Sequence, residues 1–240
     1  MKTKLLISVK DIFEIKKIIK YADIVDLKMP DIGPLGSWNK KNIIKVIDKY
    51  KFKKILSATL GNIITNEKII SNLLEFDNLG LDYIKIGLFN TSIEDINKLF
   101  LLLKNLNLRT NLVGVFFAEN KNLLDFYMKN SFKLKQSGFK IILMDTSNKE
   151  SGGLLDIFSV SELDYFVQNI KKNNLKVGLA GKIKSFQIKT LLSLSPHLIG
   201  LRSAVCYENN RSLDISENLV QKVSNQFKSD TINAHEVAGA

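Results

Sequence analysis

A (β/α)8 barrel, an α/β fold, is the architecture this sequence predicts, and three observations predict it. Eight apolar runs of strand length recur along the 240 residues. Segments with helical spacing of apolar residues separate them. The runs are continuous in Val, Ile and Leu rather than alternating, as parallel strands covered on both faces are.

The expected strands are Lys4–Val9, Ile24–Lys28, Lys54–Ala58, Tyr83–Gly87, Asn111–Phe117, Lys140–Met144, Lys176–Ala180 and Leu198–Arg202. Between them, Asp11–Tyr21 places Ile12, Phe13, Ile15, Ile18 and Ile19 on one helical face. Asn39–Lys51 repeats the pattern with Ile43, Ile44, Val46 and Ile47. Asn66–Leu79 follows with weaker periodicity. Thr91-Ser92-Ile93-Glu94 reads as a capping box ahead of Ile96, Leu99, Phe100 and Leu103. Leu124–Gln136, Glu162–Lys172, Ser185–Leu194 and Ile215–Phe227 complete the helices. An open doubly wound sheet is the alternative arrangement of the same elements. Neither a GxGxxG nor a GxxxxGKS/T phosphate loop is present. No linker or repeat divides the chain, so residues 1–228 are expected to form one domain. The tail, 229–240, is polar and rich in small residues, and is expected to fray.

No apolar run approaches the roughly 18 residues that a membrane span needs. The apolar stretch near the N-terminus is short and is interrupted by Lys10-Asp11. A soluble cytoplasmic protein without membrane partners is the expectation. One cysteine, Cys206, excludes an internal disulfide, and with only His197 and His235 beside it a Cys/His zinc site is not expected. The net charge of +11 raises the question of nucleic acid. Of the 35 basic residues, however, only Arg109, Arg202 and Arg211 are arginine. The lysines are scattered and form no stripe with aromatic residues, so no nucleic-acid partner is expected.

A barrel of this kind works at the C-terminal ends of its strands. The second strand ends with Asp26 and Lys28, two apart and therefore on one face. If Leu27 faces the helices, both enter the barrel. The fourth strand carries Lys85, and the sixth leads to Asp145 with Lys149 four residues on. An ammonium withdrawn from water, or crowded by other ammonium groups, is easier to deprotonate and then attacks carbonyls. Neighbouring carboxylates can hold a lysine protonated or carry protons. The set suits imine chemistry on a small carbonyl compound. Ser57 and Thr59 end the third strand as candidate substrate ligands, although such residues are more often turn formers. Phosphate is expected at the loops after strands seven and eight, where Gly181 lets backbone N–H groups approach an anion and Arg202 offers a cation. His197, at a strand start, reads as structural, Cys206 as a small buried hydrophobe, and Trp38 as packing.

Several segments in order carry a resemblance. These are Asp23-Ile24-Val25-Asp26-Leu27-Lys28-Met29-Pro30, Gly33-Pro34-Leu35-Gly36, Ser57-Ala58-Thr59-Leu60-Gly61, Asp82-Tyr83-Ile84-Lys85-Ile86-Gly87-Leu88, Leu143-Met144-Asp145-Thr146 and Gly178-Leu179-Ala180-Gly181. From Leu5 to about Glu208 the chain resembles the (5-formylfuran-3-yl)methyl phosphate synthases of methanofuran biosynthesis. The resemblance implies a TIM barrel with no metal and no organic cofactor. It implies a carbon–oxygen lyase that condenses two molecules of glyceraldehyde 3-phosphate, with loss of phosphate and water, into a phosphorylated furan aldehyde. Its Schiff-base lysine falls on Lys28 with its aspartate on Asp26, its further catalytic lysines on Lys85 and Lys149, and its later aspartate on Asp145. The pattern departs at Asn62, Glu119 and Ser203. A different imine-forming aldolase acting on a triose phosphate is the alternative, and a homo-oligomer is compatible with either.

Overall fold

The computed structural model describes residues 2–89, 92–147 and 152–237, and of residues 229–237 the backbone alone. Its strands are β1 (Lys4–Val9), β2 (Ile24–Leu27), β3 (Ile55–Thr59), β4 (Tyr83–Gly87), β5 (Asn111–Phe117), β6 (Phe139–Asp145), β7 (Lys176–Leu179) and β8 (Leu198–Leu201). Each pairs in parallel with the next, and β8 pairs back with β1, which closes the barrel. Every expected strand is present, with ends displaced by one residue at most.

The helices are α1 (Ile12–Ile18), α2 (Lys40–Tyr50), α3 (Asn66–Asp77), α4 (Ile93–Lys104), α5 (Lys121–Lys129), α6 (Ser131–Gln136), α7 (Leu154–Ile157), α8 (Val160–Lys172), α9 (Ile188–Ser193) and α10 (Glu217–Val237). Several differ from expectation: α7 was not foreseen, α10 runs past the expected end at Phe227 to Val237, into the tail expected to fray, and α5 with α6 and the cap of α4 depart as follows. The helix expected over Leu124–Gln136 is broken at Asn130, whose backbone leaves the helical region. Asn130 Nδ2 donates to the Phe126 carbonyl at 2.8 Å and Ser131 Oγ to that of Met128 at 3.0 Å. Such local side-chain bonds give the backbone an alternative to helix continuation. At α4 the cap is Ser92, whose hydroxyl accepts from the Asp95 N–H, one position later than the box read from sequence; Thr91 lies outside the described residues.

Strand alternation sorts the side chains into two apolar cores. The larger lies between barrel and helices and contains Leu5, Ile7, Val25, Leu27, Ile84, Ile86, Val177 and Ile199. The smaller fills the barrel with Leu6, Ile24, Val113, Val115, Ile141, Leu143 and Leu198. Leu27 thus faces the helices, and the inward positions that follow Leu6, Ile24 and Leu143 are Ser8, Asp26 and Asp145. Apolar layers fill the base of the barrel, and polar side chains lie above them at the C-terminal mouth.

At the opposite end, the His197 Nδ1 accepts the Val177 N–H at 3.1 Å, and the Asp23 and Asp82 carboxylates accept from the N–H groups of Leu5 and Leu56. These contacts fix the strand starts. Trp38 is packed in the larger core. Cys206 is fully buried, and burial pushes its thiol up to about 11, so it stays a protonated packing group.

Candidate active site

Two ion pairs cross the barrel mouth. Lys85 Nζ lies 2.9 Å from Asp26 Oδ2, and Lys28 Nζ lies 3.4 Å from Asp145 Oδ2. Asp26 and Lys28 share a face, as their spacing predicts, yet they do not pair with each other. Neither pair joins adjacent strands: inward side chains converge towards the barrel axis, so a long lysine side chain reaches a carboxylate two or four strands away. Lys28, rising from β2, meets Asp145 on β6, the opposite wall of an eight-stranded barrel.

Asp26 is wholly buried. Its register neighbours are Ser8 on β1 and Ser57 on β3. The Ser8 hydroxyl donates to Asp26 Oδ2 at 2.7 Å. Burial pushes the Asp26 carboxyl upward, but the Lys85 charge, the hydrogen bonds from Lys85 and Ser8, and the Lys28 charge together outweigh it and hold the group below its ordinary range. Asp26 Oδ1 and Ser57 Oγ, both buried, have no hydrogen-bond partner. Asp145 is oriented by the Thr146 N–H, which donates to its Oδ1 at 2.8 Å. Lys149 lies outside the described residues.

Above these pairs is a cavity of about 60 Å³, lined among others by Lys28, Lys85, Asp145, Gly181, Arg202 and Arg211. Gly181 is required by its conformation. Its φ is +103°, and a Cβ there would lie 2.8 Å from the Thr146 backbone nitrogen. The β7 loop thus packs directly on the β6 loop that orients Asp145.

Two expectations change. Arg202 is not available to hold phosphate, because protein acceptors take all five of its N–H groups. Nε donates to the Arg211 carbonyl, Nη1 to the Ser8 carbonyl and Glu14 Oε2, and Nη2 to Glu14 Oε1 and the Leu213 carbonyl. Arg202 is a brace that fixes the β8 loop to β1 and α1. Thr59 is likewise occupied, donating to the Gly36 carbonyl at 2.7 Å, where it secures the loop after Lys28. Asn62 assists by accepting from the Leu35 N–H and donating to the Ile32 carbonyl, a double role that an aspartate cannot fill.

Sequence reasoning missed Ser8, Glu14 and Arg211. Ser8 stands two residues beyond inward Leu6 at a strand's catalytic end, so the rule that found Asp26 also finds it. Arg211 is one of only three arginines. Glu14 gave no signal, since its partner is 188 residues away.

The closed barrel, with lysine–carboxylate pairs at its mouth, has the form of a TIM-barrel enzyme. Among these folds, the chain belongs to the 4-HFC-P synthase family, which residues 5–224 match. The (5-formylfuran-3-yl)methyl phosphate synthase of Archaeoglobus fulgidus is 31% identical over 237 residues, covering 92% of this chain and 97% of that protein. The synthase of the same name from Methanobrevibacter smithii is 30% identical over 201 residues, covering 80% and 84%. Among solved structures, the 3-hexulose-6-phosphate synthase of Salmonella typhimurium superposes with a TM-score of 0.67 at 16% identity, covering 95% of this chain and 99% of that one. That likeness concerns the fold. No helix among the described residues is long and apolar enough to cross a membrane.

Proposed function

We propose that this protein condenses two molecules of glyceraldehyde 3-phosphate into (5-formylfuran-3-yl)methyl phosphate, releasing orthophosphate and water, through an imine on Lys28. The observation that carries the reading is the meeting of Lys28, Asp145, Lys85 and Asp26 in one mouth, within a chain of the 4-HFC-P synthase family.

The first triose phosphate isomerises to the ketone or arrives as it. Lys28 Nζ attacks the carbonyl carbon; a C–N bond forms and water leaves. Asp145 stands within reach of the amine's proton, and its longer contact leaves the amine room to move. Asp26 and Lys85 serve the enolisation of the second triose, with Lys85 holding its aldehyde oxygen. The C–O bond to that triose's phosphate then breaks, with Asp145 and Lys149 as the proton-carrying groups, leaving orthophosphate and a three-carbon enol aldehyde. The terminal carbon of this enol attacks the imine carbon on Lys28, the one bond that gives the branched skeleton of the product. The free hydroxyl of the first triose adds to the ketone derived from the enol and closes the ring; loss of a second water and expulsion of the Lys28 amine yield an aromatic furan, and aromaticity makes the sequence one-way. Gly181 contributes backbone to a retained phosphate.

The test is incubation with glyceraldehyde 3-phosphate alone, following furan-aldehyde absorbance and phosphate release. One phosphate per two trioses with a growing chromophore supports the reading. A new sugar phosphate with neither chromophore nor phosphate release would mark an aldolase instead.

A further inference from the structure

Arg211 stands at the wall between two cavities. One is the central mouth above Lys28 and Asp145. The other, of about 390 Å³, lies outward between the β7 and β8 loops and is lined among others by Lys182, Lys184, Ser203 and Arg211. Lys182, Ile183, Ser203 and Arg211 line both, so the two spaces adjoin. Three cations and one carboxylate, Glu208, line the outer cavity.

The side chain of Arg211 is held in place. Its Nη2 donates to the Pro30 carbonyl at 2.8 Å, in the loop that follows Lys28. Its own carbonyl accepts from Arg202 Nε at 2.9 Å. Arg211 is thereby held across the mouth by one side-chain and one backbone bond. Its Nε is buried and donates to nothing. A guanidinium is the group best shaped to grip a phosphate, and Arg211 lines both cavities. Arg202, the neighbour read from sequence as that group, has no donor left.

Size points the same way. The central mouth encloses about 60 Å³ and the outer cavity about 390 Å³, so the outer space is the roomier of the two for a phosphate group.

We infer that the outer cavity is a second anion subsite, beside the central mouth that Gly181 lines, that receives a phosphate group with Arg211 as its fixed ligand and Lys182 and Lys184 as its charged rim. The identity of that phosphate rests on the two-triose reading: it is the phosphate of the second substrate, or the orthophosphate that leaves.

The test is calorimetric titration of the full-length protein with orthophosphate. The wild type is expected to bind two equivalents and Arg211→Gln only one, with its melting temperature recorded to confirm folding. One equivalent in the wild type, or two in both proteins, overturns the subsite. Should Arg211→Gln not fold, Lys184→Gln on the exposed rim serves in its place. Its second equivalent should bind several-fold more weakly, and unchanged binding overturns the inference. Kinetics then separates the two sources. A KM for glyceraldehyde 3-phosphate raised at least about tenfold in Arg211→Gln assigns the subsite to substrate. A lowered kcat at unchanged KM assigns it to the leaving phosphate. If the wild type makes no furan aldehyde, the synthase reading falls, whereas the phosphate count is decided separately.

Discussion

The Lys85 ammonium and the Asp26 carboxylate lie 2.9 Å apart, with side chains 6% and 0% exposed. Asp26 is sealed beneath the mouth, while Lys85 and the Lys28–Asp145 pair line the cavity. Removing one member of a buried pair leaves the other charge uncompensated, at a cost of about 3–5 kcal/mol. Lys85→Met should lower stability by that amount in denaturant titration. The double variant Asp26→Asn with Lys85→Met should recover much of the loss. A single variant as stable as the wild type would show that the pair is not closed in solution.

The Asp26 carboxyl is held below its ordinary value of 3.8, because the Lys85 and Ser8 contacts and the Lys28 charge outweigh its burial. A carboxyl with a depressed folded pKa stabilises the fold above its unfolded pKa and loses that contribution as pH falls through the folded value. Below about pH 4 the wild type should therefore lose stability with a steeper slope than Asp26→Asn. Parallel slopes in chemical unfolding across this range would contradict the pairing.

Glu14, on α1, and Arg202, on the β8 loop, form the brace that holds the β8 side of the mouth. Glu14→Gln and Arg202→Met should each destabilise by about 3–5 kcal/mol, the cost of stranding a buried charge. Their effects on KM should be alike, because both act through loop position. A KM raised by Arg202→Met alone would return the arginine to direct substrate contact.

His197 is held neutral, its pKa lowered chiefly by burial and then by the Lys171 and Lys176 charges. The unfolded chain takes up a proton near 6.5, before the folded one does, so stability from this site is full above that pH and falls as pH drops towards the folded value. Protonation would also remove the Nδ1 acceptor of the Val177 N–H. Melting temperature should thus fall between about pH 7.5 and 5.5 more in the wild type than in His197→Asn, which keeps an acceptor but does not titrate.

The barrel was legible because a parallel strand buried on both faces must be an uninterrupted apolar run. Even Lys54, which closes the turn by donating to the Ala22 carbonyl, displaced the β3 boundary by one residue only. The break at Asn130 was not legible, since Asn and Ser within a helical pattern are tolerated unless their side chains cap the backbone, as here. At the mouth, residue types and facing were readable from period two. Partnership was not, because lysine side chains choose carboxylates across the barrel rather than along the strand, and Arg202 finds Glu14 through the fold alone.

The proposed chemistry depends on Lys28 as the amine that forms the imine. Mixing the protein with glyceraldehyde 3-phosphate, reducing with borohydride and locating the adduct by peptide mass spectrometry tests this. A triose phosphate adduct should form on Lys28 and be absent from Lys28→Ala, even though that variant keeps Lys85. An adduct on Lys85 with Lys28 unmodified, or undiminished furan production by Lys28→Ala, would contradict it.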